Sequence, residues 1–430
     1  MKIIENPKRE EWSKILERPT QKVNEIEEIV IQIFDEVQQN GNEAIAKYTT
    51  KFDQVTFLTT NIVTTEEINN ALTQVSEELK EAIITAKGNI ERFHSAQKTA
   101  KVSVETSKGV ECWQEKRPIE KIGLYIPGGT APLFSTVLML AVPAQLAGCK
   151  EIVLCSPPDK NGNIHPAILF TAQLCGVTKI IKVGGIQAIA GMTFGTETIP
   201  RVSKIFGPGN QFVTVAKQLA TKFGVAIDMP AGPSELLVFA DDSAHPSFVA
   251  SDLLSQAEHG VDSQVILVST SKECISAVGK ETEKQIKELP RKDIAIKAIE
   301  NSILIYVETD EIALELINEY APEHFIICAE NEALFVDGIL NAGSVFIGNY
   351  TPESAGDYAS GTNHTLPTNG YSKAYSGVNL DSFLKSITFQ KISKKGLSEI
   401  GKTIEIMAEA EGLQAHKNAV SIRLKTLENK

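Results

Sequence analysis

The spacing of hydrophobic positions along the chain changes near residue 120. Before that point apolar residues recur at helical spacing, as in residues 27–39, and Thr64 with Glu67 forms a capping box that begins a further helix. Residues 101–113 instead alternate between polar and apolar side chains around a Lys-Gly turn. This part of the chain is therefore predicted to be mainly helical and to end in a β-hairpin.

From residue 121 onward, short apolar strands alternate with helices. One series covers residues 121–230, and a second with the same rhythm covers residues 235–347. Residues 349–377 are predicted to be a loop, and residues 397–425 return to helical spacing with a break near Gly412. Repeated β-α alternation is typical of doubly wound parallel sheets. The predicted fold class is α/β, with two Rossmann-like doubly wound parallel-sheet domains, a helical N-terminal region and a small helical C-terminal domain.

Composition and charge narrow the class of protein. A chain of 430 residues is too long for one compact core, and its net charge of −12 disfavours binding to nucleic acid. No apolar run approaches the roughly 18 residues of a membrane span, and the N-terminus lacks the apolar core of a signal peptide. The six cysteines are scattered singly, without a CxxC motif, which is typical of reduced thiols. We therefore expect a cytoplasmic protein without membrane or nucleic-acid partners.

Four glycine-rich loops follow predicted strands. In open α/β sheets, ligands bind past the carboxyl ends of the strands, where glycine lets backbone N–H groups approach a phosphate. The GxGxxG pattern is absent, because Phe212 stands where the third glycine belongs. Each loop alone is more typical of an ordinary turn, but four in succession favour a bound nucleotide. The loops are Pro127-Gly-Gly129, Gly184-Gly185, Gly207-Pro-Gly-Asn210 and Ala231-Gly-Pro-Ser234.

The seven histidines fall into two groups. Three lie on charged helices or at helix starts, where exposure to solvent is the default: His94, His165 and His245. The others are flanked by acids, amides and small residues: His259, His324, His364 and His416. For each of these four alone, an ordinary hydrogen-bonded histidine is an equally good interpretation. Their shared surroundings favour a common site.

Gln256 and His259 stand three residues apart on a predicted last helical turn, so both side chains project from one face. Asp357 lies in a loop of small residues. Imidazole, carboxylate and amide oxygen together suit Zn²⁺ or Mn²⁺. No tight ligand spacing is present, so decoration of a helix end is the alternative interpretation of the Gln256–His259 pair.

Glu323 and His324 form a second informative pair. They follow Pro322, which disfavours helix at the preceding residue, so the pair is predicted to stand at the mouth of a strand. Adjacent carboxylate and imidazole could serve as two proton acceptors of different strength. A salt-linked strand edge is the structural alternative.

Longer motifs resemble the histidinol dehydrogenase family, in the family's order from about residue 120 to 420. They are Gly123-Leu-Tyr-Ile-Pro-Gly-Gly129, Ile205-Phe-Gly-Pro-Gly-Asn210, Met229-Pro-Ala-Gly-Pro-Ser-Glu235, Leu253-Leu-Ser-Gln-Ala-Glu-His-Gly260, Ala321-Pro-Glu-His324, Ser354-Ala-Gly-Asp-Tyr-Ala-Ser-Gly-Thr-Asn-His364 and Gln414-Ala-His-Lys-Asn418. The resemblance implies a zinc- and NAD-dependent enzyme that oxidises L-histidinol through L-histidinal to L-histidine, the last two steps of histidine biosynthesis. It also implies one Zn²⁺ per subunit and a homodimer whose active site both subunits share.

The resemblance also implies roles for individual residues. Glu323 would be the base that activates water, and His324 the base that takes the alcohol proton. Zn²⁺ would be held by Gln256, His259, Asp357 and His416. Further substrate contacts would come from Ser234, His364 and Glu411, and NAD contacts from Tyr125, Gln187 and Asn210. The expected domains are an N-terminal extension (1–25), a first α/β domain (26–120 with 231–377), a second, NAD-contacting α/β domain (121–230) and a C-terminal helical domain (378–430).

Three alternatives stay open. A related zinc- and NAD-dependent dehydrogenase could act on another small alcohol or diol. A metal-dependent hydrolase or lyase without a nucleotide would not need four glycine-rich loops after strands. A non-catalytic binding scaffold would not need both Glu323 and His324.

Overall fold

The computed structural model describes residues 1–19, 23–56, 60–128, 131–230 and 232–428. Gly129 and Ala231, which belong to two of the predicted glycine-rich loops, lie outside the described residues. The chain divides into two compact units. The first unit comprises residues 1–97 and 119–383, and the second comprises residues 98–118 and 384–430.

The elements follow the predicted sequence of helices, hairpin and alternating strands and helices. Residues 1–97 contain β1 (Lys2–Glu5), α1 (Arg9–Ile15), α2 (Val23–Asn40), α3 (Asn42–Asp53), α4 (Thr65–Gln74) and α5 (Glu77–Ala96). Residues 98–230 contain β2 (Val102–Ser107), β3 (Val110–Pro118), β4 (Lys121–Tyr125), α6 (Phe134–Ala147), β5 (Glu151–Ser156), α7 (Pro166–Leu174), β6 (Lys179–Lys182), α8 (Gly185–Phe194), β7 (Lys204–Phe206), α9 (Gln211–Lys222) and β8 (Ala226–Ile227).

The second half of the chain repeats this alternation. It contains β9 (Glu235–Ala240), α10 (Pro246–Ala257), β10 (Gln264–Ser269), α11 (Lys272–Gln285), α12 (Lys292–Glu300), β11 (Ile303–Tyr306), α13 (Asp310–Tyr320), β12 (His324–Cys328), α14 (Glu332–Gly338), β13 (Ser344–Ile347), α15 (Glu353–Tyr358), β14 (Leu384–Ile392), α16 (Lys394–Ala410) and α17 (Gln414–Glu428). Among the described helices, none is both long and apolar enough to cross a membrane.

Within the described residues, the first unit has two parallel sheets. The five-stranded sheet has the order β6-β5-β4-β7-β8, and the six-stranded sheet has the order β1-β11-β10-β9-β12-β13. Apart from β1, both sheets place their strands in the same order, with the first strand of each series next to the fourth. This order confirms the predicted doubly wound α/β fold.

Helices α2 and α5 pack on the side of the five-stranded sheet, whereas Trp12 of α1 belongs to a core of the six-stranded sheet. Ile33 and Phe34 of α2 share a core with Val153 of β5, and Ile90 of α5 shares one with Leu124 of β4. The sequence-based division grouped residues 26–120 with residues 231–377. In the structure the apolar faces of α2 and α5 cover the other sheet, because their hydrophobic stripes lie against its helices α6, α8 and α9.

The second unit consists of an antiparallel sheet, β14-β3-β2, and two helices. The predicted hairpin is confirmed as β2 and β3, whereas the sequence did not predict β14. The break between α16 and α17 coincides with Gly412, whose φ of +74° lies in the left-handed region that glycine adopts easily.

A buried ion pair stabilises the loop after β7. Lys217 of α9 pairs with Asp228, and both side chains are at most 3% exposed. Lys217 Nζ donates to the carbonyl oxygen of Gly207 (2.8 Å), and Asp228 Oδ2 accepts from the N–H of Gly207 (2.8 Å). Gly207 has a φ of +128°, and a Cβ there would overlap the carbonyl oxygen of Tyr125. The loop therefore needs both glycine and the ion pair.

Replacing Lys217 by Met should lower the free energy of unfolding by about 3–5 kcal/mol, because it leaves a buried carboxylate without its partner. Urea unfolding followed by circular dichroism measures this change. The matched control is Lys150→Met, since Lys150 pairs with Glu120 at 2.8 Å on the surface, and it should change the free energy of unfolding far less than Lys217→Met does. Equal effects of the two substitutions would contradict the prediction.

Candidate active site

The polar cluster of the six-stranded sheet lies at the amino ends of β9 and β12. These neighbouring parallel strands begin with Glu235 and His324, and Glu323 directly precedes the latter. The predicted position of Glu323 and His324 at the mouth of a strand is thus confirmed. Ligands in such sheets usually bind past the carboxyl ends of the strands, but this cluster lies at the amino ends of β9 and β12. Its residues come from the loops and helix ends at that edge of the sheet.

The backbone of Glu235 holds both members of the acid–base pair. Its N–H donates to Oε2 of Glu323 (2.9 Å), and its carbonyl oxygen lies 3.2 Å from Nδ1 of His324. Since a carbonyl oxygen only accepts, Nδ1 of His324 carries the proton and Nε2 has a free lone pair. Nε2 has no hydrogen-bond partner among the described residues. His324 therefore presents a proton acceptor into the cluster.

Burial sets the protonation state of His324. Removal from water lowers the pKa of its ring to about 4, although the negative charge of Asp357, with Oδ1 3.9 Å from Nε2, opposes this shift. The ring is therefore neutral at physiological pH, as a general base must be. Burial also raises the pKa of Glu323 well above its usual range, and the neighbouring charges of Glu235 and Asp357 add to that shift.

A short helix brings two further carboxylates to the cluster. Glu353 and Asp357 stand four residues apart on α15, which places them on one helix face. The prediction that residues 349–377 form a loop is wrong for this segment. Glu353 is 1% exposed, and burial raises its pKa well above the usual range. In the amide orientation that satisfies both neighbours, the NH₂ group of Gln256 donates to Glu353 Oε1, and its oxygen shares the N–H of Glu235 (3.1 Å) with Glu323.

Donor atoms of this cluster fit a divalent metal ion. His324, Glu353 and Asp357 each offer a ligand atom, and these atoms all lie within 4.8 Å of one another. Two carboxylates and an imidazole form a donor set that suits Zn²⁺ or Mn²⁺. The crowding of negative charge also favours a cation at this place, and of the four predicted zinc ligands Asp357 is the one that belongs to this set.

The structure brings most of the predicted site residues into this neighbourhood. Nδ1 of His364 donates to the backbone oxygen of Asp357 (3.0 Å) and lies 3.7 Å from its carboxylate. The His259 side chain is exposed in part. Removal of the rest of its ring from water lowers the pKa of that ring. The charges of Asp357 and His364 also act on that pKa, in opposite directions. Half-buried Ser234 directly precedes Glu235.

Two predicted site residues lie in the second unit. Glu411 directly follows α16, and His416 belongs to the first turn of α17. Both are exposed in the single chain. The polar cluster of the first unit is therefore built from those predicted residues of that unit that lie near the amino ends of β9 and β12.

A cavity of about 1260 Å³ opens at the carboxyl edge of the five-stranded sheet. Tyr125, Gln187 and Asn210 all line it, as does Gly128 of the first glycine-rich loop. It lies where the strand order changes between β4 and β7, the usual ligand position in such sheets. Its volume is sufficient for a large ligand such as a dinucleotide.

The three polar side chains in the cavity wall have different partners. The Tyr125 hydroxyl accepts from the N–H of Gly185 (3.0 Å), and burial raises its pKa to about 12, so it keeps its proton. Asn210 Oδ1 accepts from Val213 N–H (3.1 Å) and caps α9. Gln187 is fully buried, and neither amide atom has a hydrogen-bond partner among the described residues. Gln187 therefore fits a polar ligand that satisfies its amide.

Helix α6 connects the cavity with the polar cluster. Pro132, just before the helix, lines the cavity, and Thr136 in its first turn lies 3.2 Å from Nε2 of His364 through its hydroxyl. Four residues span roughly 6 Å of helix. The cavity and the polar cluster are therefore close enough for groups bound in each to take part in one reaction.

The predicted surroundings of one histidine are wrong, and three residues of the cluster were not predicted. His94 is fully buried, with Nδ1 2.9 Å from the carbonyl oxygen of Ile90, and is not a solvated surface residue. The missed residues are Arg18, Glu235 and Glu353. A signal existed for two of them: Glu235 begins an otherwise apolar strand, and Glu353 stands four residues before Asp357.

Fold and site together define an α/β enzyme that performs acid–base chemistry beside a nucleotide-sized cavity. The family model described as histidinol dehydrogenase matches residues 16–424. The chain belongs to the histidinol dehydrogenase family. It is accordingly an oxidoreductase of histidine biosynthesis that oxidises histidinol to histidine.

Individual relatives agree with this assignment. The chain is 60% identical to histidinol dehydrogenase of Bacteroides thetaiotaomicron, over 99% of this chain and 100% of the relative. It is 52% identical to that of Escherichia coli K12, over 97% and 96% respectively. The crystal structure of histidinol dehydrogenase from Elizabethkingia anophelis superposes with a TM-score of 0.97 at 57% identity, covering 100% of this chain and 99% of that one. Betaine aldehyde dehydrogenase of Staphylococcus aureus (TM-score 0.51, 12% identity, 90% of this chain and 88% of that one) shares the fold alone.

In the metal-free protein, the ring of His324 should stay neutral down to about pH 5 and take up a proton only near pH 4. The unfolded chain binds this proton near pH 6.5, so the stability that the neutral ring contributes is complete above that pH and is lost as the pH falls toward 4. NMR of ¹⁵N-histidine-labelled protein measures the titration, with His324→Gln to assign the signal. A ring that titrates near pH 6.5 would contradict the prediction.

Proposed function

We propose that the enzyme oxidises L-histidinol through L-histidinal to L-histidine, that it uses two NAD⁺ per substrate, and that it binds one Zn²⁺ per subunit. The observation that carries this proposal is the neutral His324, which stands beside Glu323 and has a free Nε2, in a cluster about one helix turn from the nucleotide-sized cavity. Bound NAD⁺ would supply the hydride acceptor, and bound metal would orient the amine and imidazole of the substrate.

His324 acts in both oxidations. Its Nε2 takes the hydroxyl proton of histidinol as the alcohol carbon becomes an aldehyde. After that proton has passed to solvent, the same nitrogen takes the hydroxyl proton of the hydrated aldehyde in the second oxidation. Its Nδ1–H, held by the carbonyl oxygen of Glu235, fixes the ring so that Nε2 faces the reacting carbon in each step.

Glu323 acts between the two oxidations. Its carboxylate takes a proton from water as that water adds to the aldehyde carbon. Burial raises the pKa of Glu323, so its ionised form is a stronger base than a solvated carboxylate. The N–H of Glu235 fixes the orientation of the carboxyl group.

Zn²⁺ would be held by Gln256, His259, Asp357 and His416. Support comes from the donor chemistry of the cluster around Asp357 and from the charge interaction between His259 and Asp357. Additional substrate contacts would come from Ser234, His364 and Glu411.

NAD would occupy the cavity lined by Tyr125, Gln187 and Asn210. Support comes from the volume of that cavity and from the unpaired amide of Gln187 in its wall. The cytoplasmic location and the absence of nucleic-acid partners stay predictions from the sequence.

We also propose a homodimer in which Glu411 and His416 of one subunit serve the site of the other. Support comes from the exposure of both residues in the single chain and from the exposed apolar side chains of the same helices. A shared site would enclose the aldehyde between the two oxidations and keep it from solvent.

Metal-replete protein should form two NADH per molecule of L-histidinol, because the aldehyde is held and oxidised in place. Absorbance at the NADH band, calibrated against consumed histidinol, gives the ratio. A chelator should abolish the reaction, and added Zn²⁺ should restore it. Turnover of another alcohol with no NADH from histidinol would replace the proposal with the related dehydrogenase.

Two inactive variants should complement one another if subunits share sites. His416→Ala and Glu323→Gln each inactivate a homodimer, but a mixed dimer should retain one intact site. Mixing equal amounts after reversible dissociation should restore about one quarter of wild-type activity, since half of the dimers are mixed and each has one of two sites. Metal content by mass spectrometry separates loss of ligand from loss of base. Absence of recovery, with mixed dimers demonstrated by affinity tags, would contradict sharing.

A further inference from the structure

We propose that Arg18 is a positioning residue for the oxidation reactions: through Glu235 it fixes the places of Glu323 and His324. This inference rests on the roles given to those two residues under the proposed function. Arg18 lies in the N-terminal segment after α1, outside both strand series, and it touches neither Glu323 nor His324 directly through any hydrogen bond of the described residues.

The backbone of Glu235 contacts both bases. Glu235 offers its N–H to Glu323 and its carbonyl oxygen to His324, as described above. A shift of Glu235 along or across its strand therefore moves both partners together. Any group that fixes Glu235 acts on both bases.

The Glu235 carboxylate is held by Arg18 and by the backbone of Asn369. Arg18 Nε lies 2.5 Å from Oε1 and Arg18 Nη2 lies 2.9 Å from Oε2, so the guanidinium binds both carboxylate oxygens. The N–H of Asn369 donates to Oε1 as well (2.6 Å). Side-chain exposure is 2% for Glu235 and 15% for Arg18, so little water competes with these contacts. A two-point ion pair of this kind fixes direction as well as distance.

The guanidinium of Arg18 also contacts Tyr320. Arg18 Nη2 also donates to the carbonyl oxygen of Tyr320 (2.7 Å), and the guanidinium carbon lies 4.0 Å from the centre of the Tyr320 ring. Tyr320 ends α13 and stands three residues before Glu323. The Tyr320 hydroxyl donates to Gln264 Oε1 of β10 (2.9 Å). Arg18 thus joins the start of β9 to the turn that leads into β12.

These contacts require an arginine. The planar guanidinium can bind both oxygens of Glu235, donate to Tyr320 and lie over its ring at the same time. A lysine keeps the positive charge but offers one nitrogen, so it can hold only part of this set. The inference therefore predicts that charge alone is insufficient.

The test measures both oxidations separately, with histidinol and with histidinal as substrates, for Arg18→Lys and Arg18→Met. Both variants should lower kcat in both reactions, by about 10- to 100-fold for Arg18→Met and by less for Arg18→Lys, because small displacements of reacting groups have effects of this order. The KM for NAD⁺ and the zinc content should keep their wild-type values. The matched control is Arg9→Met, since Arg9 lies in the same segment and pairs with Glu315 at 2.9 Å on the surface, and its kcat should not change.

Rates are expressed per folded protein, with the folded fraction taken from circular dichroism at the assay temperature. Arg18→Lys retains the buried positive charge and carries the test if Arg18→Met does not fold. A wild-type kcat per folded Arg18→Lys protein would overturn the inference, as would a rise in the KM for NAD⁺ without a change in kcat. A wild-type ratio other than two NADH per histidinol would instead overturn the proposed function, so the two failures are distinguishable.

Discussion

The candidate active site depends on the burial of several carboxyl groups in one small region. Glu235, Glu323 and Glu353 are each at most 6% exposed, and Asp357 lies beside them. Removal from water raises the pKa of the three glutamates, and neighbouring negative charges add to this effect for Glu323 and Glu353. Glu235 is stabilised by Arg18, while the others need a proton or a cation. This imbalance of charge is the physical reason that the region suits a metal ion and a substrate with an amine.

The two parallel sheets use opposite edges. In the five-stranded sheet the cavity opens at the carboxyl ends, where β4 and β7 separate. In the six-stranded sheet the reactive side chains gather at the amino ends of β9 and β12. Helix α6 reaches from one feature to the other through Pro132 and Thr136. Under the proposed function, a hydride acceptor in the cavity and the two bases of the cluster would approach the same carbon from two separate surfaces of the first unit.

The sequence predicted most of the fold, because strand and helix periods are local. The strands from Lys121 to Ile347 were recognisable from short apolar runs between turn residues. Strand β14 was not, since its exposed residues alternate poorly and its partner β3 lies more than 260 residues earlier. For the same reason His94 was misplaced: its burial depends on Asn363, which is distant in sequence.

The candidate site divides in the same way. Motifs identified Gln256, His259, Glu323, His324 and Asp357, which occur in short informative stretches. Arg18 stands in an unremarkable segment, and its role depends on contacts with Glu235 and Tyr320, each more than 200 residues away. A single sequence contains no record of such pairings. Only the folded chain relates the N-terminal segment to the two bases.

The unpaired amide of Gln187 has a consequence for selectivity. The buried amide of Gln187 has no hydrogen-bond partner among the described residues, so a ligand in the cavity that supplies a matching donor and acceptor recovers about 1–3 kcal/mol of desolvation free energy. The recovered amount corresponds to roughly 5- to 150-fold in affinity. A ligand of the same size without those groups leaves the amide without hydrogen-bond partners and does not recover this free energy. Discrimination at this cavity thus originates in the pair of hydrogen bonds that a ligand supplies to Gln187.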